Sequence, residues 1–333
     1  MALFRELFAA LFAARTITSV VEVGVESGRV SSVYADLGAT VSCVEPYPTP
    51  ELREAFAADP RLTLVEGLSP QALADLPPAD LYVLDGDHNY AVVRAELDWI
   101  TANAPDAVVV LHDVLWPSGR RDLYYQPTPL APGDVLPDSP DGPTVWHDAL
   151  TPAGFVGGGS YTTALAAGGE RNGVLTAVED AIAAATGDWR LEIVPAVFGF
   201  GLLARQDGPG ASALFEAIAP FTSSALLAAM ENNRIALYTR VLQLQHETEA
   251  RTGDANRLVE TITAQRGEIE RLRAELVQAD KELVVRRAEL DELRAEAAAV
   301  RAAAAEPDED LGAALTGLRR AARARLRGAG GSR

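Results

Sequence analysis

Two short stretches concentrate side chains able to do acid–base or metal chemistry. Leu84 to Tyr90 reads LDGDHNY, putting Asp85, Asp87 and His88 at the end of the apolar run ADLYVL. Leu111 to Trp116 reads LHDVLW, with His112 and Asp113 closing the run AVVVL. A carboxylate at the end of a buried strand is costly unless it is bonded, paired or bound to a cation. Histidine beside it titrates near neutral pH. If the two runs are adjacent parallel strands, their carboxyl ends open into one crevice, where Asp85, His112 and Asp113 converge. Two carboxylates with an imidazole make a reasonable site for Mg²⁺ or Mn²⁺, with positions left for substrate oxygens. Plainer readings stand beside this one. Asp87 also reads as the N-cap of the helix NYAVVRAELDWI, and His112 as a buried, hydrogen-bonded histidine at a strand end.

The elements that would position these residues are legible from Thr18 onward. SVVEVG, TVSCVEP, LTLVEG, DLYVLD and AVVVLHD are short, rich in Val and Leu and bounded by turn residues, as buried parallel strands are. Helix patterns lie between them, such as GRVSSVYADLGA with Gly38 as its stop. With a closing antiparallel hairpin from WRLEIVPA and VFGFGLLAR, this predicts a doubly wound, mostly parallel seven-stranded α/β sheet within a domain spanning 1–206. Residues 114–170 form an irregular, Pro- and Gly-rich insert that reads as a functional lid or a disordered surface segment. Residues 211–305 read as helix. One heptad register runs through Leu237, Val241, Leu244, Leu258, Ile262, Ile269, Leu272, Leu276, Leu283, Leu290, Leu293 and Val300. Sustained over about nine heptads, it predicts a coiled coil and a homo-oligomer, although a single solvated helix fits the same charges. The basic stretch 306–333 reads as a flexible tail.

Composition narrows the possibilities. A net charge of −18 argues against a nucleic-acid partner. No apolar run reaches the roughly 18 residues of a membrane span, and Arg5 and Glu6 interrupt the apolar N-terminal stretch that a secretory signal would need. Cys43 is the only cysteine, so no internal disulfide forms, and the expected setting is cytoplasmic. Lys281 is the only lysine. Phosphate-loop ATPases and lysine Schiff-base chemistry are therefore excluded from the first 280 residues.

VVEVGVESG sets Gly24 and Gly28 between the first strand and a helix, where backbone amides approach a ligand. The middle glycine of the dinucleotide fingerprint is replaced by Glu26, which would repel a pyrophosphate. Glu22 suits a positively charged ligand instead, and Glu45, ending the second strand, stands where an acid takes both hydroxyls of a ribose. A ligand with a ribose, no phosphates and a cationic centre is S-adenosylmethionine.

On these residues the chain resembles the class I S-adenosylmethionine-dependent methyltransferases. EVGVESG looks like their first motif, which covers Gly24, Ser27 and Gly28, and Glu45 matches their ribose-binding acid. In VEGLSPQAL, Gly67, Leu68 and Ser69 stand where the family lines the adenine. DGDHNY followed by HDVLW is similar to the metal-dependent catechol, caffeoyl-CoA and sugar O-methyltransferases. That resemblance, which spans about Ser19 to Arg205, implies a Rossmann-like methyltransferase fold. It also implies that Asp85 serves cofactor and metal, that Asp85, His112 and Asp113 hold Mg²⁺ or Mn²⁺, and that His88 is the general base. Asp87 would orient His88 or replace it. His112 departs from the catechol type, which has aspartate there. The expected reaction is metal-assisted O-methylation of a glycan or a glycosylated natural product. The alternatives are a metal-independent methyltransferase using His88 alone and a catalytically silent coiled-coil scaffold.

Overall fold

The Val- and Leu-rich runs become strands β1 (Ser19–Val23), β2 (Thr40–Val44), β3 (Leu62–Val65), β4 (Leu81–Leu84) and β5 (Val108–His112) of a computed structural model that describes residues 1–305 and 311–328. They are fully parallel, and their continuous apolar character follows from helices covering both faces. Helices α1 (Arg5–Ala14), α2 (Ser31–Asp36), α3 (Pro50–Ala57), α4 (Tyr90–Asn103) and α5 (Val174–Ala184) alternate with them. Gly38, with φ +104°, follows the last residues of α2 as the expected stop.

Strands β6 (Leu123–Tyr125), β7 (Asp138–Ser139) and β8 (Tyr161–Ala164) form a separate antiparallel sheet ordered β6-β8-β7. Strands β9 (Trp189–Val194) and β10 (Phe200–Arg205) are the expected hairpin, and β10 also pairs antiparallel with β5. The main sheet is thus seven-stranded and mixed, in the order β3-β2-β1-β4-β5-β10-β9.

Register brings the chemistry to one level. Val23 pairs with Leu84, and Leu84 with Leu111. Gly24, Asp85 and His112 are the next residues of three neighbouring strands, so the sheet delivers them side by side.

One face of the sheet is covered by Phe8 and Leu11 of α1, Tyr34 of α2 and Leu214 and Ile218 of α6 (Ala211–Thr222). The other is covered by Val93, Leu97 and Ile100 of α4 and Ala177 and Val178 of α5. Leu11, Leu97 and Ile100 are fully buried, each worth about 2 kcal/mol or more of apolar transfer.

The body that holds the sheet runs to Arg251, beyond the expected end at Gln206. The extension arises because α6 buries Leu214, Phe215 and Ile218, and because the first turns of α7 (Ala225–Ala305) bury Glu231, Ile235 and Thr239. The second unit begins at Thr252 and contains the rest of α7 together with α8 (Leu311–Gly328). Of the stretch expected to be a flexible tail, 311–328 is this helix, while 306–310 and 329–333 lie outside the described residues. Among the described residues no single helix is long and apolar enough to cross a membrane.

The insert is more ordered than its composition predicts. Buried Asp122 accepts from the backbone N–H of Tyr90 at 2.7 Å, the N–H of Gly173 at 2.6 Å and the hydroxyl of Tyr124 at 2.8 Å. One carboxylate therefore ties β6 to the starts of α4 and α5. Arg120 pairs with Glu179 of α5 at 2.6 Å. Composition does not reveal such a hub, because two of its three donors come from distant segments.

Candidate active and metal-binding site

The glycine turn opens the site. Gly24 has φ +84°, and a Cβ there would strike the carbonyl oxygen of Asp85, so only glycine lets β1 and β4 end this close together. Gly28, at φ +68°, has Phe56 of α3 2.7 Å from where a Cβ would stand. Ser27 is exposed on the turn. Glu45 accepts from the backbone N–H of Val25 at 3.2 Å and of Tyr47 at 3.1 Å, which holds its carboxylate beside the turn. Glu22 lies beneath the turn, only 2% exposed, and accepts from the hydroxyl of Ser31 and from the thiol of Cys43. Burial lifts its carboxyl to about 8, against the opposing pull of Ser31. It braces the start of α2 and presents no surface to the crevice.

Asp85, His88, His112 and Asp113 converge, each offering a ligand atom within 4.8 Å of the others. His112 Nδ1 lies 3.0 Å from Asp85 Oδ1 and 3.0 Å from Asp113 Oδ2. His88 Nε2 lies 3.0 Å from Asp113 Oδ2 and 3.7 Å from Asp85 Oδ1. Although close, His88 Nε2 is buried without a partner in hydrogen-bond alignment. His112 Nε2 lies 2.9 Å from the carbonyl oxygen of Val197. A carbonyl only accepts, so Nε2 carries the proton and a neutral His112 turns the Nδ1 lone pair toward two carboxylates. Such an arrangement is repulsive unless a proton or a cation lies between.

With these four groups alone, protons take that place. Burial disfavours charge on His88 and His112, but the carboxylates prevail, holding His88 well above its usual range and His112 at about 9. Burial likewise opposes ionisation of the carboxylates, yet the imidazoles pull Asp85 down to about 2 and Asp113 lower still.

The backbone around the quartet is strained. Asp113 has φ +58°, while Val197 and Phe198 have φ +47° and +66°. A left-handed β-branched residue is rare and persists only when its surroundings impose it. Here the amide of Phe198 donates to Glu231 of α7 at 2.8 Å, and the amide of Leu115 to the Phe198 carbonyl at 2.8 Å. The Arg234 guanidinium lies 4.4 Å from the centre of the Phe198 ring. The first turns of α7 thus hold the loop whose carbonyl orients His112.

The other expected site residues divide. Leu68, Ser69 and Asp87 share a neighbouring cleft of about 360 Å³ with Leu130 and Arg171. Gly67 does not line it, and has Ala72 3.3 Å from where a Cβ would stand. Asp87 does not cap α4: Asn89 does, accepting from the amide of Val92 at 2.9 Å. Burial raises the Asp87 carboxyl, and the residue faces this cleft while His88 faces Asp85 and Asp113.

An aromatic wall stands beside the quartet. The Tyr125 ring lies 5.9 Å from His88 and 6.1 Å from Tyr161. Tyr161 stacks on Phe155 at 5.9 Å, and Phe155 meets Trp116, Phe198 and Tyr238 at 5.8 to 5.9 Å. These rings come from the insert, the β9–β10 loop and α7. No spacing links them, so no sequence signal announces them.

No curated protein matches the chain significantly. Solved structures that resemble it include a candidate caffeoyl-CoA O-methyltransferase of Staphylococcus aureus, with 14% identity, 61% of this chain and 83% of that one covered, and a TM-score of 0.40. A candidate O-methyltransferase of Klebsiella pneumoniae has 17% identity, coverage of 62% and 80%, and a TM-score of 0.40. The glycopeptide N-methyltransferase MtfA in complex with S-adenosylhomocysteine has 14% identity, coverage of 60% and 89%, and a TM-score of 0.36. The family model described as a methyltransferase domain matches residues 21–114. That segment runs from β1 through the glycine turn to the residue after Asp113.

Proposed function

We propose that the chain is an S-adenosylmethionine-dependent O-methyltransferase whose acceptor hydroxyl is activated by a divalent cation. The observation that carries the metal reading is the Nδ1 lone pair of His112, fixed by the Val197 carbonyl and aimed between Asp85 and Asp113. The orphaned Nε2 of His88 makes it a fourth ligand to the same ion. A coordinated nitrogen cannot also accept a proton, so His88 is a ligand here rather than the base, a reassignment of the role implied by the family resemblance. The metal-independent alternative is disfavoured for a related reason: without a cation, Asp113 and Asp85 keep His88 protonated, and an imidazolium is no base.

S-adenosylmethionine supplies the electrophilic methyl group, and a divalent cation lowers the pKa of a bound hydroxyl. The chain's residues supply position. Glu45, held by the Val25 and Tyr47 amides, accepts from the ribose hydroxyls. Gly24, Ser27 and Gly28 would leave room for the cofactor at the turn, and Leu68 and Ser69 of the neighbouring cleft would border its adenine. Glu22 acts through Ser31 on the helix behind the turn. The wall of Tyr125, Phe155 and Tyr161 suits stacking against the C–H face of a sugar, which supports a glycan or glycosylated natural product as acceptor. The exposed heptad seam of α7 supports self-association of the chain.

Isothermal titration with S-adenosylmethionine, with and without Mn²⁺, tests the reading. Cofactor binding together with separate, chelator-reversible binding of Mn²⁺ is expected. No cofactor binding sinks the enzymatic reading, and no ion binding sinks the metal.

A further inference from the structure

Every residue of α7 from 254 to 304 is exposed, including its large apolar side chains. Leu258 is 60% exposed, Leu276 64% and Leu283 53%. These residues occupy one seam. Assigning Ile262, Ile269, Leu276, Leu283 and Leu290 to position a puts Leu258, Leu272, Leu293 and Val300 at position d.

The same register sorts the charges by flank. Position g, just before each a, holds Thr261 and then Glu268, Glu275, Glu282, Glu289 and Glu296. Position e, just after each d, holds Val259 and then Arg266, Arg273, Asp280, Arg287, Arg294 and Arg301. From Arg266 to Arg301 one border of the seam is acidic and the other is basic except at Asp280.

We propose that α7 pairs with the α7 of a second copy of this chain as a parallel, in-register, two-stranded coiled coil. The proposal rests on the self-association reading of α7 and is independent of the enzymatic one. In a parallel pair, g of one helix faces e of the next heptad on its partner. Glu268 then meets Arg273, Glu282 meets Arg287, Glu289 meets Arg294 and Glu296 meets Arg301. Only Glu275 with Asp280 is a like-charged pair. In an antiparallel pair g faces g and e faces e, so glutamate meets glutamate on one border and arginine meets arginine on the other, except where Asp280 faces an arginine.

Charge complementarity therefore selects both the occupant and its direction. Pairs within the helix, such as Arg273 with Glu270 at 3.0 Å and Arg294 with Asp291 at 3.2 Å, are exposed and yield readily to a partner.

Stagger is set by the polar interruptions at d. In register, Gln265 and Arg286 each face their own kind, confining the polar layers between 254 and 304 to two. A slip of one heptad would set each against apolar layers above and below. Arg286 lies 3.1 Å from Glu289 of its own helix. β-Branched Ile262 and Ile269 at a, with Leu258 and Leu272 at d, favour two strands over three.

The test uses the full chain, in which the native Cys43 is buried. Light scattering is expected to give a dimer. Under mild oxidation Leu258→Cys and Val300→Cys should each cross-link to itself, with no additional mixed species when the two are combined. Cross-linking only in the mixture indicates the antiparallel arrangement and overturns the proposed direction. A monomer, or a dimer unaffected by Leu272→Glu with Leu276→Glu, overturns the seam itself. Glu282→Arg with Glu289→Arg should weaken self-pairing on the order of tenfold or more, and mixing with a chain carrying Arg287→Glu and Arg294→Glu should restore pairing. Unchanged self-pairing in the glutamate variant overturns the charge argument.

Discussion

Nε2 of His88 lies 3.0 Å from Oδ2 of Asp113, yet the two do not align as a hydrogen bond. The same Asp113 oxygen stands 3.0 Å from Nδ1 of His112. One carboxylate oxygen thus serves two imidazole nitrogens, as it does when all three surround a single ion. Two imidazoles among the donors suit Mn²⁺ and later first-row ions better than Mg²⁺, which prefers all-oxygen ligation.

Asp113→Ala should lower Mn²⁺ affinity by at least about tenfold while cofactor affinity stays within a few-fold, since loss of even an outer partner costs about that much. Titration calorimetry of the variant measures both. Retained Mn²⁺ affinity would remove Asp113 from the ligand set.

Ion binding should release protons and tighten as pH rises. The carboxylates hold His88 well above its usual range and His112 at about 9, so below about pH 9 the ion must displace the His112 proton, and at neutral pH that of His88 as well. Calorimetry of Mn²⁺ binding in buffers of different ionisation enthalpy counts them. Affinity that is flat between pH 6.5 and 9, values on the order of the His range cited, contradicts the shared site.

Glu231→Ala should loosen the loop that carries Val197 and Phe198, because it removes the acceptor of the Phe198 amide from a left-handed backbone. Glu231 is a positioning residue: it touches no reactant and acts through the Val197 carbonyl on His112. A loss of about tenfold in Mn²⁺ affinity, with helix content unchanged by circular dichroism, is the expected pair of results. A structural role alone would lower the melting temperature and leave ion affinity untouched.

Gly24→Ala should cost about 2 kcal/mol or more of stability, through the left-handed φ and the clash with the Asp85 carbonyl. Urea unfolding gives the value. A neutral effect would mean that β1 and β4 can separate without cost.

Glu96 provides a pH test of the core. Burial lifts its carboxyl from 4.5 to about 8, against the pull of Ser69. Between those values the folded chain holds a proton that the unfolded chain has released, so this group's contribution falls as pH rises through the window. Glu96→Gln should therefore gain stability relative to the parent at pH 8.5 over pH 5, pH values set on the order of the two ends of that window. Denaturant midpoints at both pH values decide it; a relative loss at high pH reverses the sign.

Much of the sheet was legible because buried parallel strands must be short, apolar and bounded by turns. The runs from SVVEVG to AVVVLHD became β1 to β5, and the last two runs became the hairpin. Gly24, Asp85, His112 and Asp113 were legible for a related reason: they follow strand ends, and parallel strands deliver their ends to one edge. Asn89 as the cap of α4 was missed, since Asp87 and Asn89 are equally good caps on paper and only the helix start tells them apart. Domain extent was misjudged where amphipathic helices begin, because periodicity does not say which body an apolar face will cover.

By itself the amino-acid sequence determined the strand runs, the glycine turn, the missing lysines and the heptad seam, all properties of local spacing and composition. Only the tertiary structure decided that His88 joins the other three side chains, that Val197 fixes the tautomer of His112, and that Asp122 organises the insert. Those are contacts between segments far apart in the chain. Their distances depend on register and on strained loops held by packing, which no local pattern encodes.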